Sequence, residues 1–159
     1  MVLRFVDVRQ DDELAEPLIA ELAVEYATRY DGTEEGVLRW LRGHPADAFA
    51  PPHGGMLIGL LDGLPVTGGA FCRFDGAQTA ELKRIWTDRR YRQRGFGRLL
   101  LAELEARIAA QAYRRIYLTT GTRQPEAEAL YTAAGYTRLP QARTPEPHFT
   151  ALAFEKVLT

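Results

Sequence analysis

The chain has 159 residues, of which 46% are hydrophobic, so it holds enough apolar material for a folded domain. A formal net charge of -1 excludes a generally basic surface for nucleic acid or for an acidic membrane. The single cysteine, Cys72, excludes an intrachain disulfide and a thiolate metal cluster. No apolar run approaches the ~20 residues that span a bilayer, and residues 1–10 lack a signal-peptide core, so a cytoplasmic location is expected.

The first half of the chain predicts a strand, two helices and a meander of three strands. Alternation of apolar and polar residues indicates the first strand, and four-residue spacing of apolar residues indicates the helices. Asp-Gly pairs at 62–63 and 75–76 favour tight hairpin turns. The predicted elements are a strand at 2–9, helices from about 12 to 30 and at 34–42, a loop at 44–55, and strands at 56–61, 64–74 and 79–87.

The second half alternates helices with strands. A long apolar stripe predicts one helix, and Pro125 suits the first turn of another, which Gly135 ends. The predicted elements are helices at 98–111 and 125–134 and strands at 114–120, 136–139 and 149–158. This order predicts a mixed sheet with helices on its faces, in a single domain spanning 1–159.

A basic, glycine-bearing turn links the strand at 79–87 to the long helix. Amide groups at a helix start have no intrahelical partner, and the helix dipole adds positive charge there. Gly95 and Gly97 let the backbone approach an anion closely. The guanidinium groups of Arg92, Arg94 and Arg98 match phosphate oxygens. The turn therefore predicts a diphosphate cradle, and the alternative is a turn that caps a surface helix with solvated arginines.

Three features together resemble the GNAT superfamily of acyl-coenzyme A N-acyltransferases. The first is the element order. The second is Arg92-Gln93-Arg94-Gly95-Phe96-Gly97, similar to the superfamily's Gln/Arg-x-x-Gly-x-Gly/Ala signature. The third is Gln124-Pro125-Glu126-Ala127-Glu128-Ala129-Leu130-Tyr131, followed by Gly135-Tyr136, where Gln124 replaces the usual asparagine. The resemblance implies an α/β fold (α+β in some schemes), with a mixed, mostly antiparallel seven-stranded sheet and about four helices on its two faces.

The resemblance also implies acetyl-coenzyme A as the cosubstrate, held between the fourth and fifth strands. Backbone groups of Ile85, Trp86 and Thr87 are expected to hold its pantetheine arm. The residues expected to bind the rest of the cosubstrate are Arg92, Gln93, Arg94, Gly95, Phe96, Gly97, Arg98 and Gln124. No metal is expected, because no two histidines have the spacing of metal ligands.

Two residues match catalytic positions of the superfamily. Glu81, inside the fourth strand, matches a general base, and an amine with a pKa of about 10 must lose a proton before it attacks. The alternatives are a surface glutamate paired with Lys83 or Arg73, and deprotonation through a water relay. Tyr131 matches the general acid that protonates the leaving thiolate, and its alternative is a tyrosine packed on the sheet.

The acceptor pocket is expected among the first two helices, the middle strands and the loop before the last strand. Its candidate residues are Tyr26, Tyr30, Trp40, Phe71, Arg73 and His148. The expected reaction is direct attack by a primary amine of a small molecule or peptide, in a monomer or homodimer with no nucleic-acid or membrane partner. A non-catalytic acyl-coenzyme A binding or sensing module is the alternative, and a small nucleic-acid binder is a weaker one.

Overall fold

A computed structural model describes residues 2–29, 32–76, 78–121, 125–140, 142 and 151–159. These residues form one seven-stranded sheet in the order β1-β2-β3-β4-β5-β7-β6, in which only β4 and β5 are parallel. The strands are β1 Leu3–Asp7, β2 Gly55–Leu61, β3 Leu64–Asp75, β4 Thr79–Thr87, β5 Arg115–Gly121, β6 Thr137–Arg138 and β7 Ala151–Val157. The helices are α1 Glu16–Arg29, α2 Glu34–Arg42, α3 Phe96–Ala110 and α4 Pro125–Ala133. The predicted fold class and element order are confirmed.

Local chemistry explains where several elements begin. Asp62 and Gly63 both have positive φ, 52° and 82°, which is the conformation of a tight hairpin turn whose twist matches its strands. Thr33 accepts a hydrogen bond from the amide of Gly36 and so caps the start of α2. Asp12 accepts one from the amide of Leu14 and starts a short 3-10 turn that leads into α1.

The sheet carries a hydrophobic core on each face. Helices α1 and α2 cover one face and α3 and α4 cover the other. β2 is buried along its whole length, so its side chains alternate between the two cores: Met56 and Ile58 pack under α1 and α2, and Leu57 packs under α3. The centre of the sheet is thus packed against both helix layers.

A β-bulge interrupts β4 opposite Gly69. Gly68 pairs with Trp86 and Ala70 pairs with Lys83, so Arg84 and Ile85 together oppose the single residue Gly69. Arg84 has a φ of 60°, in the left-handed region that a side-chain-bearing residue rarely adopts. A Cβ atom on Gly69 would lie 2.6 Å from Ile85 Cδ1, so any other residue there would force the Ile85 side chain to move. The bulge lets two successive residues, Lys83 and Arg84, line the same cavity.

β4 and β5 pair over only a short stretch. The paired residues are Thr79 with Arg115, Ala80 with Ile116, and Glu81 with Tyr117. Beyond Glu81, β4 runs on to Thr87 bonded to β3 on one side and with no β5 partner on the other. The strands therefore separate and leave an open backbone edge in the middle of the sheet.

Some predicted boundaries were wrong. Helix α3 begins at Phe96 and not at residue 98, because Gly95 adopts positive φ and serves as the N-cap, which draws Phe96 and Gly97 into the first turn. No local pattern had indicated the 3-10 turns at Ala46–Phe49 and Arg89–Tyr91. Across the described residues, no helix combines the length and the hydrophobicity that a membrane crossing requires.

Candidate active site

A cavity of about 310 Å³ lies between α1, the end of β4, the start of α3 and α4. It brings together most residues that were predicted to bind the cosubstrate: Ile85, Thr87, Arg92, Gln93, Gly95, Phe96, Gly97 and Arg98. Other walls come from Leu22, Glu25, Tyr91, Glu126, Ala127 and Leu130. The side chains of Trp86 and Arg94 do not line this cavity, and Gln124 lies outside the described residues.

The first turn of α3 presents backbone amides at this cavity. The first intrahelical hydrogen bond runs from the amide of Leu99 to the carbonyl of Gly95, at 3.2 Å. The amides of Phe96, Gly97 and Arg98 therefore have no partner within the helix. No described side chain caps this helix start. A lined cavity with open amides at the positive end of a helix dipole is suited to an anion such as a phosphate.

The glycines of the turn serve different purposes. Gly95 has a φ of 83° and an ideal Cβ atom there meets nothing within 4 Å, so it is required for conformation and not for space. A Cβ atom on Gly97 would lie 3.2 Å from Leu130 Cδ2, so that glycine permits the close approach of α3 to α4. The backbone conformation of Gly95 keeps the helix start open, and the lack of a side chain at Gly97 keeps it near α4.

The three arginines of the turn have different surroundings. Arg92 donates from Nε to the carbonyl of Thr87 at 3.0 Å and from Nη2 to Glu25 of α1, with Glu21 3.8 Å away. Arg94 is exposed, and its guanidinium lies 5.1 Å from the ring centroid of Tyr91. Arg98 is exposed, and it forms no ion pair within the described residues. Arg92 is thus held by acidic neighbours, whereas Arg94 and Arg98 keep their charge available.

Glu81 is buried at the point where β4 and β5 separate. Glu81 is 8% exposed, so the interpretation of this residue as a surface-facing glutamate is wrong. Lys83 Nζ lies 3.7 Å from Glu81 Oε1, whereas Arg73 Nη2 lies 2.8 Å from His53 Nδ1 instead. Of the two suggested partners, Lys83 is the one beside this carboxylate.

Two further cavities meet at Glu81 on the α1 and α2 side of the sheet. The smaller, of about 80 Å³, is lined by Tyr26, Trp40, Leu41, His44, Glu81, Leu82, Lys83, Arg84 and Thr119. The larger, of about 570 Å³, is lined by His44, Asp47, Ala48, His53, Cys72, Arg73, Phe74, Glu81 and Lys83. Because both share His44, Glu81 and Lys83, they form adjoining parts of one region, which we call the acceptor region.

The acceptor candidates divide between this region and other places. Tyr26, Trp40 and Arg73 line the acceptor region. Phe71 is fully buried in the core under α3, where it packs edge to face on Tyr113 with ring centroids 6.5 Å apart, and it lines neither cavity. Tyr30 and His148 lie outside the described residues.

Tyr131 is buried in the core on the α3 and α4 side. The residue is 5% exposed, and its ring packs 5.8 Å from Tyr136 and 5.9 Å from Phe154, measured between centroids. Burial raises the pKa of its phenol well above the ordinary value, and the phenol of Tyr26 on the other side of the sheet adds to the rise. The phenol is protonated at neutral pH, as an unperturbed tyrosine also is, and its raised pKa makes it a weaker acid than an exposed one.

Two residues of the acceptor region, His44 and Arg84, are not predicted from the sequence. His44 stacks on Phe49 at 5.4 Å, and burial lowers its pKa, helped by the charges of Lys83 and Arg84, so the imidazole is neutral at pH 7. Arg84 belongs to no motif in the sequence, and the bulge turns it toward α2. Neither residue carries a distinguishing local signal.

Cys72 is near Glu81 but is not an activated nucleophile. Burial, followed by the negative charge of Glu81, raises the pKa of its thiol to about 11, so the reactive thiolate is scarce at neutral pH. In the described part of the chain, no group of three His, Cys, Asp or Glu side chains is placed to hold a metal ion. The site offers acid-base groups and backbone donors.

Comparison with known proteins agrees with this geometry. The sequence model of the acetyltransferase (GNAT) family matches residues 13–136. Among curated proteins, no sequence match was found.

Solved structures share the fold over nearly the whole chain. A protein from Klebsiella pneumoniae, described as an acyl-CoA N-acyltransferase, is 25% identical with a TM-score of 0.78, and the alignment covers 99% of each chain. An acetyltransferase from Thermus thermophilus is 20% identical with a TM-score of 0.74, covering 99% of this chain and 98% of that one. A GNAT family acetyltransferase from Elizabethkingia anophelis, solved with acetyl-CoA bound, is 15% identical with a TM-score of 0.67, covering 98% of each chain.

Proposed function

Since this chain belongs to the acetyltransferase (GNAT) family, we propose that it transfers the acetyl group of acetyl-coenzyme A to a primary amine of a small molecule or peptide. One observation carries the proposal. Residues of β4 at and beyond Glu81 line both cavities: Ile85 and Thr87 line the amide-lined cavity, and Lys83 and Arg84 line the acceptor region. A thioester on the open edge of β4 and an amine in the acceptor region would meet at the separation of the strands.

The residues of the α3 cavity suit the cosubstrate. The amides of Phe96, Gly97 and Arg98 and the exposed guanidinium groups would hold the pyrophosphate. The unpaired edge of β4 after Glu81 would bond the amide groups of the pantetheine arm, as a neighbouring strand does. Backbone N–H groups on the same edge would also stabilise negative charge that develops on the thioester oxygen.

Glu81 supplies a carboxylate on the acceptor side. An amine with an ordinary pKa of about 10 is mostly protonated at neutral pH and must lose a proton to become a nucleophile. Glu81 accepts that proton, directly or through water. The ammonium group of Lys83 lies 3.7 Å from Glu81 Oε1, so a positive charge is next to this carboxylate.

Tyr131 supplies a proton on the other side of the open edge. As the amine nitrogen bonds to the acetyl carbon and the carbon–sulfur bond breaks, the nitrogen releases its second proton to solvent and the leaving thiolate takes a proton from the Tyr131 phenol. Solvent then returns a proton to the Tyr131 phenolate. The Tyr131 phenol is protonated at neutral pH, as a tyrosine with an ordinary or raised pKa always is. Direct transfer accords with the raised pKa of the Cys72 thiol, which makes a covalent acetyl-cysteine intermediate unfavourable.

Titration calorimetry with acetyl-coenzyme A, followed by a thiol-release assay over a panel of amines, tests the proposal. We expect saturable binding at one site and thiol release that depends on the amine. Absence of saturable binding at millimolar concentration would refute the proposal. Binding without thiol release for any amine would identify the chain as a non-catalytic acyl-coenzyme A binding module.

A further inference from the structure

Arg84 is a buried cation with unused hydrogen-bonding capacity. It is 9% exposed, its Nη2 donates to the carbonyl of Leu41 at 2.5 Å, and its guanidinium carbon lies 5.1 Å from the ring centroid of Phe49. Its Nη1 is buried and has no hydrogen-bond partner. Within the described residues, no carboxylate forms an ion pair with it. A buried guanidinium that lacks an anionic partner is unfavourable for folding, so its retention calls for another explanation.

The surroundings of Arg84 show the cost of this arrangement. Burial lowers the pKa of its guanidinium to about 10. Its backbone is also held at a positive φ by the bulge opposite Gly69. Strained backbone and buried, unpaired polar groups concentrate where a protein binds ligands.

The small cavity that Arg84 lines has an excess of positive charge. Its charged walls are Lys83, Arg84 and the single carboxylate of Glu81, and His44 is neutral at pH 7. One positive group is therefore left without a negative counterpart. A ligand with one negative charge would balance the cavity.

We propose that the acceptor is an amino carboxylate, such as an amino acid, whose carboxylate binds to Arg84 while its amine faces Glu81. The proposal rests on the acetyltransferase function proposed above. A carboxylate matches the planar donors of guanidinium, and the unpaired Nη1, which is buried in the cavity wall, would donate to it once the guanidinium turns toward the ligand. Its single charge also fits the cavity better than the double charge of a phosphate.

The space around Arg84 accommodates such a ligand. The small cavity of about 80 Å³ adjoins the larger one of about 570 Å³ through shared walls. The amine and carboxylate would occupy the smaller part, and the remainder of the acceptor would extend into the larger part, beside His53 and Arg73.

Matched acceptors test the role of the carboxylate. For several side chains, the amino acid, its amide and its decarboxylated amine are compared by thiol release with acetyl-coenzyme A. We expect kcat/KM to be about 10- to 100-fold higher for the amino acid, which is typical for a hydrogen bond between charged groups. If the decarboxylated amine or the amide has the same kcat/KM as the amino acid, the proposal is wrong.

Variants then assign the preference to Arg84. Arg84→Gln should lower kcat/KM for amino acids about 10- to 100-fold and bring the ratio within each acceptor set close to one. Arg39→Gln, which removes an exposed arginine of α2, is the matched control and should retain the wild-type ratio. A full preference in Arg84→Gln would contradict the assignment.

Folding and cosubstrate binding are measured separately. If Arg84→Gln does not fold, Arg84→Lys replaces it in the test. Arg84→Lys keeps the charge but loses the forked donors, so it should fold and show a kcat/KM ratio between amino acid and amine that is intermediate. A full wild-type preference in Arg84→Lys would also contradict the assignment. Calorimetry of the wild-type protein with acetyl-coenzyme A distinguishes the two proposals. If the wild type does not bind acetyl-coenzyme A, the acetyltransferase function is refuted. If it binds the cosubstrate and transfers the acetyl group without preferring carboxylate-bearing acceptors, only this inference is refuted.

Discussion

Glu81 is the last residue of β4 that pairs with β5, and its partner is Tyr117. Tyr117 is fully buried and stacks on Phe74 with ring centroids 4.4 Å apart. This pairing fixes the carboxylate at the position where the strands begin to separate. The location of a side chain between two cavities is thus set by the register of a parallel strand pair.

Replacing Glu81 with glutamine tests its role as the base. Glu81→Gln should lower kcat about 100-fold or more, as expected for loss of a general base, and leave the Kd for acetyl-coenzyme A unchanged. Glu103→Gln, on the outer surface of α3, is the control and should behave as wild type. A wild-type kcat in Glu81→Gln would instead favour a water relay that does not need this carboxylate.

Tyr131→Phe tests the acid. Removing only the hydroxyl should reduce kcat about 100-fold while the Kd for acetyl-coenzyme A stays nearly the same, since the ring packing is preserved. Tyr136→Phe provides the comparison, because that phenol bonds to Glu105 and not toward the strand separation. Equal kcat values for the two variants would remove Tyr131 from the mechanism.

The turn before α3 depends on the conformation of Gly95. Gly95→Ala should destabilise the fold by about 1–2 kcal/mol, since alanine is strained at positive φ. It should also weaken binding of acetyl-coenzyme A by shifting the amides of the first turn. Gly95→Asn should retain more of the stability and more of the affinity for acetyl-coenzyme A than Gly95→Ala, because asparagine tolerates this conformation. Urea unfolding and calorimetry measure the two effects, and identical behaviour of the alanine and asparagine variants would contradict this explanation.

Arg92 is coupled to the acidic residues of α1. Arg92→Ala should weaken acetyl-coenzyme A binding about tenfold or more, because it removes a cation and exposes the charge of Glu25 in the same cavity. Glu25→Gln should strengthen binding, and the double variant should recover part of the loss. Calorimetry on all four proteins gives the coupling. Strictly additive effects would show that Glu25 does not control the charge of this cavity.

Tyr136 makes stability depend on alkaline pH. Burial, the charge of Glu105 and the 2.9 Å bond to its Oε2 raise the pKa of the folded phenol, while the unfolded phenol titrates near its ordinary value of about 10. Above that pH the unfolded chain loses a proton that the folded chain keeps, so the free energy of unfolding falls as pH rises. The slope from this one group reaches about 1.4 kcal/mol per pH unit.

Urea unfolding between pH 8 and pH 11 measures this dependence. Tyr136→Phe lacks the titrating group, so its free energy of unfolding should fall less steeply above pH 10 than that of the wild type. Both proteins retain Lys156 beside Glu105, which cancels the contribution of the lysine in the comparison. Parallel curves would show that the Tyr136 phenol is not held protonated by the fold.

Much of the fold follows from local signals. Asp62 and Gly63 predict their hairpin because few other residues accept positive φ in succession. The basic turn and its glycines predict an open helix start because the relevant chemistry lies within a few residues of one another. Such features need no knowledge of distant contacts.

The acceptor region depends on distant contacts, which local patterns do not encode. Arg84 enters it because Gly69, on another strand, is opposed by two residues of β4. Phe71 lies on the opposite face, since alternation along β3 assigns its side chain to the core under α3. Burial of Glu81 likewise follows from its pairing with Tyr117, so its surroundings were open to several interpretations from the sequence.

A crystal structure of the protein with acetyl-coenzyme A tests the central claim most directly. We predict that the pyrophosphate lies about 3 Å from the amides of Phe96, Gly97 and Arg98, and that the thioester lies at the open edge of β4 between Glu81 and Tyr131. A pyrophosphate bound away from the start of α3, or a thioester outside the separation of β4 and β5, would contradict the account.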